Sequence, residues 1–326
     1  MSESKRQRIF MTGAAGYIGS RITEFALAEG YEVHGLSRSP KSDAKLLALG
    51  AVPVRGDLGS FDVLRRESAD ADIVINLADP WADHIGDSRG YAVVVEIDAA
   101  AVNAIGDALR GTNKPLLITS GTAVVDPDPQ GAETTETAPE NTHPINDRIA
   151  CERNALALSK SGVNVCAIRL APFVYGRGGS GVRLFMSMYA NLGEVVYVGD
   201  GAKRTSVVHV DDAARLYLLA AGKAGAAWTA GAIFNCTSST EVTIRELAEA
   251  MAAALGVPAR SLAREEAARK CGELVAAFMG MENRASSAKA VKELGWQPRE
   301  PGVLEDITSG PYLAVAKELR GGIAKH

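Results

Sequence analysis

Three glycines in the segment MTGAAGYIGS could form a loop that binds phosphate groups. Gly13, Gly16 and Gly19 follow an apolar strand-like run and open a helical pattern. The first glycine permits a tight turn, the second lets the backbone approach a pyrophosphate, and the third allows close packing of helix on strand. The free N–H groups at the start of the helix can then bind phosphate oxygens. This spacing in this context predicts a dinucleotide-binding loop.

The end of the second strand-like run indicates which dinucleotide is preferred. An acidic residue at this position usually pairs with the ribose hydroxyls of NAD. The chain has Ser37 and Arg38 there instead. A guanidinium can bind a 2′-phosphate through two hydrogen bonds, and a serine can donate another. The sequence therefore favours NADP over NAD, with a solvated surface position for Arg38 as the alternative.

The elements that must position these residues alternate between strand and helix. The predicted strands of the first half cover residues 8–13, 31–37, 51–57, 71–78, 114–120 and 162–172. The predicted helices cover about 17–29, 44–50, 89–110 and 145–160. Such alternation of mostly apolar strands with helices is typical of the α/β class with a doubly wound parallel sheet, the Rossmann fold. Ligands of these sheets bind beyond the carboxyl ends of the strands.

The second half of the chain is less regular. Residues 1–172 are predicted to form the dinucleotide-binding domain, to which 206–236 partly return. Residues 173–205 and 237–326 are predicted to form a smaller, mainly helical lobe that binds the substrate. Its helices are expected at about 181–191, 243–255, 262–280, 286–294 and 303–319.

Composition and charge exclude several classes of function. The 326 residues carry a formal net charge of −4, so neither nucleic acid nor an anionic membrane surface is an expected partner. No apolar run approaches the length of a membrane-spanning helix, and the polar first residues do not resemble a signal peptide. The four cysteines and five histidines lack the spacing of metal ligands. We expect a cytoplasmic protein that binds a small molecule and no metal.

Short motifs after several strands resemble the short-chain dehydrogenase/reductase superfamily. They are TGxxGxxG after the first strand, GDL (56–58), NLA (76–78) and TSGT (119–122). The segments RLAPFVYG (169–176), VGDGAKRTSVVHVDDAAR (198–215) and ASSAKAVKELGWQP (285–298) are similar to its extended, epimerase/dehydratase-type branch. The resemblance spans nearly the whole chain. It implies a Rossmann fold, a nicotinamide cofactor and oxidoreductase or epimerase/dehydratase chemistry.

The resemblance also implies which residues contact the cofactor. Asp57 could alternatively be only a turn residue after its strand, and Asp98 lies where the branch often has an asparagine that shapes the catalytic helix. The implied cofactor-binding residues are Gly13, Gly16, Tyr17, Ile18, Gly19, Ser37, Arg38, Asp57, Leu58, Leu77, Ala78, Ser120, Arg148, Pro172, Phe173 and Val174.

The Tyr-x-x-x-Lys pair of the branch is absent from this chain. In the branch, the tyrosine exchanges the proton, and the lysine one helical turn later lowers its pKa and binds the ribose. With Glu152 aligned to the family pattern, Arg148 stands at the lysine position and Pro144 at the tyrosine position. No tyrosine lies between Tyr91 and Tyr175. The chain resembles an atypical subgroup that keeps the cofactor motifs without this pair.

Three residues are candidates to carry the chemistry instead. Arg148 can bind ribose hydroxyls but cannot relay a proton, because its pKa stays above ~12; its alternative is a surface position on the helix. His143 titrates near neutrality, with a plain loop histidine as its alternative. Thr122 could bind a substrate oxygen, although the usual hydroxyl position falls nearer Gly121. The residues expected on the substrate side are Asp79, Trp81, Tyr175, Arg204 and His209.

Two functions follow from these observations. The first is an NADP(H)-dependent oxidoreductase or epimerase/dehydratase-like enzyme with non-standard acid–base residues, acting on a small carbonyl compound or alcohol. The second is a non-catalytic NAD(P)-binding protein that senses redox state or regulates a partner. Helices 89–110 and 145–160 carry small apolar residues and could pair two copies into a symmetric homodimer.

Overall fold

The computed structural model describes residues 6–84, 87–226 and 228–323. The strands are β1 (Arg8–Thr12), β2 (Glu32–Ser37), β3 (Val52–Arg55), β4 (Ile73–Asn76), β5 (Pro115–Gly121), β6 (Asn164–Leu170), β7 (Phe173–Tyr175), β8 (Val195–Val198), β9 (Arg204–His209), β10 (Ala232–Cys236), β11 (Ser239–Thr243) and β12 (Ala259–Leu262). The α-helices are α1 (Tyr17–Ala28), α2 (Pro40–Leu49), α3 (Phe61–Asp70), α4 (Ala92–Leu109), α5 (Arg148–Ala157), α6 (Ser180–Leu192), α7 (Val210–Gly222), α8 (Ile244–Leu255), α9 (Arg264–Cys271), α10 (Glu273–Met279), α11 (Ala288–Leu294), α12 (Val303–Thr308) and α13 (Tyr312–Ile323).

Seven parallel strands form the central sheet, in the order β10-β6-β5-β4-β1-β2-β3. The chain starts at β1, winds outward through β2 and β3, and then returns to β4 on the other side of β1. This reversal leaves a crevice at the carboxyl ends of β1 and β4, where doubly wound sheets bind their ligands. The predicted α/β class and Rossmann fold are confirmed.

Helices cover both faces of this sheet because its strands are apolar on both sides. Ile9 and Met11 of β1 pack in one core with residues of α1, α2, α7 and α11. Phe10 points to the opposite face and packs in a second core with residues of α3, α4 and α5. Helix α3 was missed by the sequence analysis because its sequence, FDVLRRESAD, is mostly polar.

The smaller lobe has its own core, built from α6, α8, α10, α12 and α13. It also contains a three-stranded sheet, β11-β9-β7, and the two-stranded pair β12-β8, which the prediction of a mainly helical lobe did not include. The predicted helix 262–280 is two helices, because Gly272 adopts a φ of +92° between them. Among the described helices, none combines the length and apolar character needed to cross a bilayer.

Candidate active site

A cleft of about 730 Å³ lies at the crevice between β1 and β4. Its wall is formed by the glycine turn after β1 and by the segments that follow β2, β3 and β4. The predicted residues that line it are Gly13, Gly16, Tyr17, Ile18, Gly19, Arg38, Asp57, Leu58, Leu77, Ala78 and Asp79. Asp83 and His84, in the segment after β4 where ligands were expected, also line the wall. The wall further includes residues that the sequence analysis did not select: Ala15, Leu36, Ser42, Gly59, Pro80, Ile97 and Ser180.

The glycine turn leaves no space for side chains at Gly13, Gly16 or Gly19, and a Cβ atom on Gly16 would lie 2.9 Å from the carbonyl oxygen of Gly13. Gly13 has a φ of +71°, and a Cβ atom there would lie 2.9 Å from the backbone nitrogen of Ala78. A Cβ atom on Gly19 would lie 2.2 Å from the carbonyl oxygen of Gly13. The backbone can therefore approach a ligand and pack on β4 only because these residues are glycines.

Thr12 joins the end of β1 to the end of β4. Its hydroxyl donates to Asn76 Oδ1 at 2.6 Å and accepts from the backbone N–H groups of Leu77 (3.0 Å) and Ala78 (3.1 Å). On the other side of the cleft, Gly16 precedes α1 and has no side chain to cap the first N–H groups of the helix. This cradle fits the pyrophosphate of a nicotinamide dinucleotide.

The end of the cleft beside β2 and β3, where the family resemblance places the adenine half of the cofactor, is termed the adenine end, and its charged residues are exposed. Arg38 is paired with Asp83, and 66% of its side-chain surface is exposed. Ser37 is buried and its hydroxyl donates to the carbonyl oxygen of Ser39, so its side chain does not line the cleft as predicted. Asp57 stabilises its own turn, accepting at Oδ1 from the Gly59 N–H at 3.0 Å. Asp57 therefore acts as a turn residue and also lines the cleft.

Arg148 lies beneath the other end of the cleft. Its Nη1 donates to Asp79 Oδ2 at 3.1 Å, and its Nη2 donates to the carbonyl oxygen of Thr119 at the end of β5. Only 14% of its side-chain surface is exposed. Arg148 is therefore not a surface helix residue, and α5 begins at Arg148 rather than at the predicted position near 145.

A buried ion pair fixes the position of α5. Glu152, one helical turn after Arg148, accepts from Arg169 of β6 at 2.9 and 2.6 Å. The side chains are 2% and 5% exposed, respectively. Arg169 also donates to the carbonyl oxygen of Glu136 in the loop that precedes α5. These contacts hold α5 against β6 and so fix the helix whose first residue, Arg148, reaches Asp79.

Side chains from α4 and α5 complete the surroundings of Arg148. Burial raises the pKa of Tyr91, just before α4, to about 12, against the opposing effect of the charge and hydrogen bonding of Arg148. Burial also raises the pKa of Asp98, again opposed by Arg148. Burial raises the pKa of Cys151 to about 12, so its side chain is a neutral thiol at physiological pH.

The sequence analysis did not select Tyr91 and noted Asp98 only for its position. These residues are seven apart and therefore lie on one face of α4. Helix α4 packs against α5, so a search for polar residues at helical spacing could have found the pair. Trp81 follows β4 and lies against Tyr91, with ring centroids 5.3 Å apart.

The structure does not bring Thr122, Ser120 or His143 into the cleft wall. Thr122 is fully buried and its hydroxyl donates to Asn283 Oδ1 at 2.9 Å. Ser120 is also buried, and its hydroxyl has no hydrogen-bond partner. His143 is exposed and lies 3.0 Å from the Thr142 hydroxyl. The catalytic roles of Thr122 and His143 stay predictions that no contact with the cleft supports.

Pro172, Phe173 and Val174, which the resemblance implies as cofactor-binding residues, lie outside the described cleft wall. Phe173 packs against Phe278 in the core of the smaller lobe. Val174 is buried in the core beneath the central sheet, and Pro172 is partly exposed. None of these three residues lines the described cleft.

The predicted substrate residues from the smaller lobe also make structural contacts. The Tyr175 hydroxyl donates to the carbonyl oxygen of Pro301 at 2.7 Å. His209 begins α7, where its Nδ1 accepts from the backbone N–H of Asp211 at 3.1 Å. Arg204 is half-exposed and lies 3.6 Å from Glu241. These three side chains do not line the described cleft.

One group among the described residues has the spacing of metal ligands. The ligand atoms of His209, Asp211 and Glu300 lie within 4.8 Å of one another. Arg177 donates to Asp211 at 2.7 Å, and Arg21 donates to the same carboxylate at 3.1 Å. Because two guanidinium groups already neutralise Asp211, this group is an ion-pair cluster rather than a cation site.

The fold and the cleft define a nicotinamide dinucleotide-binding Rossmann protein. Residues 9–236 match the NAD dependent epimerase/dehydratase family, and the chain belongs to this family. The predicted superfamily is therefore confirmed, and the family and the named relatives support an enzyme of this superfamily.

Relatives extend over most of the chain. It is 36% identical over 307 residues to an uncharacterized protein of Schizosaccharomyces pombe, covering 94% of this chain and 100% of that protein. It is 28% identical over 312 residues to the UDP-glucose 4-epimerase of Mycolicibacterium smegmatis, covering 90% and 94% of the two chains. It is 25% identical over 260 residues to the 2-alkyl-3-oxoalkanoate reductase of Stenotrophomonas maltophilia, covering 77% and 76%.

Solved structures show the same fold. MoeE5 in complex with UDP-glucose and NAD matches with a TM-score of 0.72 at 20% identity, over 95% of this chain and 99% of that one. The Thermus thermophilus UDP-glucose 4-epimerase complex with NAD matches with a TM-score of 0.69 at 22% identity, over 97% and 99%. The family match and the named relatives support a nicotinamide dinucleotide as cofactor and the class of oxidoreductases and epimerases.

Proposed function

We propose that this protein is an NADP(H)-dependent reductase that converts a small carbonyl compound to an alcohol. The observation that carries the proposal is that one cleft joins a phosphate-binding glycine turn to Asp79, a carboxylate held by the buried Arg148. A reduced nicotinamide dinucleotide bound there supplies a hydride. The protein must orient the substrate and provide a proton for its oxygen.

Arg38 supports a preference for the phosphorylated cofactor. It lines the cleft at the end of β2, where an NAD-binding protein usually has a carboxylate. Its pairing with the exposed Asp83 leaves it accessible, and a 2′-phosphate can compete for the guanidinium through two hydrogen bonds.

The positive charge of Arg148 supports a reductase reaction at the other end of the cleft, next to Asp79. Its charge cannot be removed at physiological pH, because burial lowers its pKa less than Asp79, Tyr91 and Asp98 raise it. A fixed cation stabilises negative charge that develops in a transition state, and a buried one does so most effectively. The relative named as a reductase supports the choice of reaction, whereas the relative named as an epimerase supports the alternative within the same family.

Cofactor titrations test the preference. NADPH should bind more tightly than NADH by about 10- to 150-fold, corresponding to the 1.5–3 kcal/mol of a charged hydrogen bond. Arg38→Ala should remove most of this difference. Arg65→Ala, which removes an exposed arginine of α3 outside the cleft, is the matched control. Equal affinities for the two cofactors in the unmodified protein would overturn the preference.

A panel of aldehydes and ketones tests the reaction. A reductase consumes one NADPH per alcohol formed, which the absorbance of the reduced nicotinamide measures directly. Interconversion of sugar epimers without net consumption of NADPH would identify an epimerase instead. Tight cofactor binding without turnover of any compound would favour the redox sensor.

A further inference from the structure

Asp79 lies in the cleft wall directly beside the glycine turn. A Cβ atom on Gly13 would lie 2.9 Å from the backbone nitrogen of Ala78, so the segment after β4 touches the turn. Thr12 holds the backbone N–H groups of Leu77 and Ala78, and Asp79 is the next residue along the chain. Asp79 is therefore the first residue after β4 whose polar side chain lines the cleft.

The order of the strands places Asp79 on the nicotinamide side of a bound dinucleotide. Such a cofactor has one ribose on each side of the pyrophosphate, which the glycine turn after β1 would hold. One ribose then lies towards β2, where Arg38 lines the cleft. The other lies towards β4, the neighbour of β1 on the opposite side, and Asp79 follows that strand.

The carboxylate of Asp79 is fixed by one donor on each oxygen. Its Oδ1 accepts from the backbone N–H of Trp81 at 2.9 Å, and its Oδ2 accepts from Arg148 Nη1 at 3.1 Å. Arg148 cannot turn away easily, because it is largely buried and also donates to the carbonyl oxygen of Thr119. A carboxylate has about four acceptor positions. Since 43% of the Asp79 side chain is exposed, it can accept further hydrogen bonds from a ligand in the cleft.

A pair of neutral hydroxyl groups fits this carboxylate better than an ion does. A phosphate would be repelled by its negative charge. An ammonium group would have to compete with the guanidinium of Arg148, which already neutralises Asp79. Two neighbouring hydroxyl groups can each donate one hydrogen bond without displacing Arg148. This is the chemistry of the cis-diol of a ribose.

We propose that Asp79 binds the two hydroxyl groups of the nicotinamide ribose and that Arg148 is the positioning residue that holds the carboxylate towards the cleft. This inference rests on the proposed function, which requires a nicotinamide dinucleotide in this cleft. The contact orients the nicotinamide half of the cofactor, and correct orientation of the hydride donor is a large part of the rate of such a reaction.

The binding of two ligands tests the contact without turnover. NADPH contains the nicotinamide ribose, whereas adenosine 2′,5′-bisphosphate contains only the adenine half. Asp79→Asn should weaken NADPH binding by about 10- to 100-fold, because a charged acceptor is lost. It should not weaken the bisphosphate by more than about twofold. Asp62→Asn, at an exposed carboxylate of α3 outside the cleft, is the matched control and should change neither affinity. Equal weakening of both ligands by Asp79→Asn would show a general distortion of the cleft and overturn the inference.

A second experiment changes the ligand and leaves the wild-type protein intact. An NADPH analogue with a 2′-deoxyribose on its nicotinamide side lacks one of the two hydroxyl groups. It should bind the wild type at least about fivefold more weakly than NADPH does, and this difference should largely disappear in Asp79→Asn. Equal affinities of the wild type for NADPH and the analogue would overturn the inference, whether or not the variant folds.

The positioning role of Arg148 has its own test. Arg148→Ala should weaken NADPH and spare the bisphosphate, as Asp79→Asn does, because the carboxylate loses the donor that orients it. Arg148→Lys keeps a cation beside Asp79 and should restore most of the NADPH affinity. An Arg148→Ala protein with wild-type affinity for NADPH would overturn the positioning role.

These measurements separate the inference from the proposed function. If the wild type binds no nicotinamide dinucleotide, both fail together. If it reduces a carbonyl compound but binds NADPH and the deoxy analogue equally, the function stands and only the role of Asp79 fails. If the deoxy analogue binds more weakly through Asp79 but no carbonyl compound is reduced, the ribose contact stands and the reductase function fails.

Discussion

The two ends of the cleft are built in different ways. At the adenine end, the glycine turn follows directly from β1, and the ion pair between Arg38 and Asp83 is exposed. At the other end, Asp79, Tyr91, Asp98 and Arg148 come from three separate segments and surround a largely buried guanidinium. The first end offers backbone N–H groups to phosphate, whereas the second fixes charges where negative charge would develop.

This difference decides where substitutions are costly. An exposed ion pair contributes about 0–1 kcal/mol, because water and salt screen it. Removing one partner of a buried pair costs much more, because the other charge is left without compensation. Changes around α5 should therefore affect folding, whereas changes of the exposed pair at the adenine end should affect mainly the cofactor.

The largest effect is expected at Glu152. Glu152→Ala leaves Arg169 buried without its carboxylate and should lower the free energy of unfolding by about 3–5 kcal/mol. Chemical denaturation measures this loss. Arg153→Ala, which breaks the exposed neighbouring pair with Glu140, is the control and should cost less than about 1 kcal/mol. Equal losses in the two variants would contradict the distinction between buried and exposed pairs.

The next effect is expected at the glycine turn. Gly19→Ala places a Cβ atom 2.2 Å from the Gly13 carbonyl oxygen, so the turn must move away from α1. We expect a loss of about 1–3 kcal/mol in stability and at least a tenfold weaker NADPH affinity. Gly302→Ala has open space around the new methyl group and serves as the control. Unchanged NADPH affinity in Gly19→Ala would show that the turn does not hold the cofactor.

The two ends also differ in how far the sequence could predict them. Gly13, Gly16 and Gly19 lie within seven residues, so the motif itself specifies the turn, and the confirmed fold follows from the same local alternation of strand and helix. Tyr91 and Arg148 are far apart in the chain, and their contact depends on how α4 packs on α5. The spacing of Tyr91 and Asp98 can show that they share one face of α4, but no local pattern shows that α5 packs on α4, so Tyr91 was not selected. The short strands β8 and β12 were missed for a similar reason, because they pair only with each other.

A smaller effect is expected at Asp98, and it depends on pH. Burial raises the pKa of Asp98 in the folded protein above its unfolded value of about 4. Between the two pKa values the folded state binds more protons, so Asp98 makes the protein lose stability as the pH rises. Asp98→Asn should remove this loss, since an amide stays neutral and Asp79 still compensates Arg148.

Denaturation at several pH values checks this prediction. Asp98→Asn should be more stable than the wild type at neutral pH, and the difference should shrink as the pH falls through the raised pKa of Asp98 and should vanish below about 4. Asp107→Asn, at an exposed position later in α4, is the control and should leave the pH dependence unchanged. A variant that is less stable than the wild type at neutral pH would mean that the ionised carboxylate of Asp98 stabilises Arg148.

The smallest effect on stability is expected at the exposed pair of the adenine end. Asp83→Asn removes the carboxylate that Arg38 contacts, and both side chains are about half or more exposed, at 49% and 66%. The free energy of unfolding should change by less than about 1 kcal/mol. NADPH should bind up to about fivefold more tightly, because a 2′-phosphate no longer competes with Asp83 for the guanidinium.

Asp79→Asn is the matched change at the buried end, where it removes the partner of Arg148 and should cost about 1.5–3 kcal/mol in stability. If both substitutions lower the free energy of unfolding by the same amount, burial does not explain the difference between the two ends of the cleft. The exposed ion pair would then contribute more to the adenine end than its backbone N–H groups do.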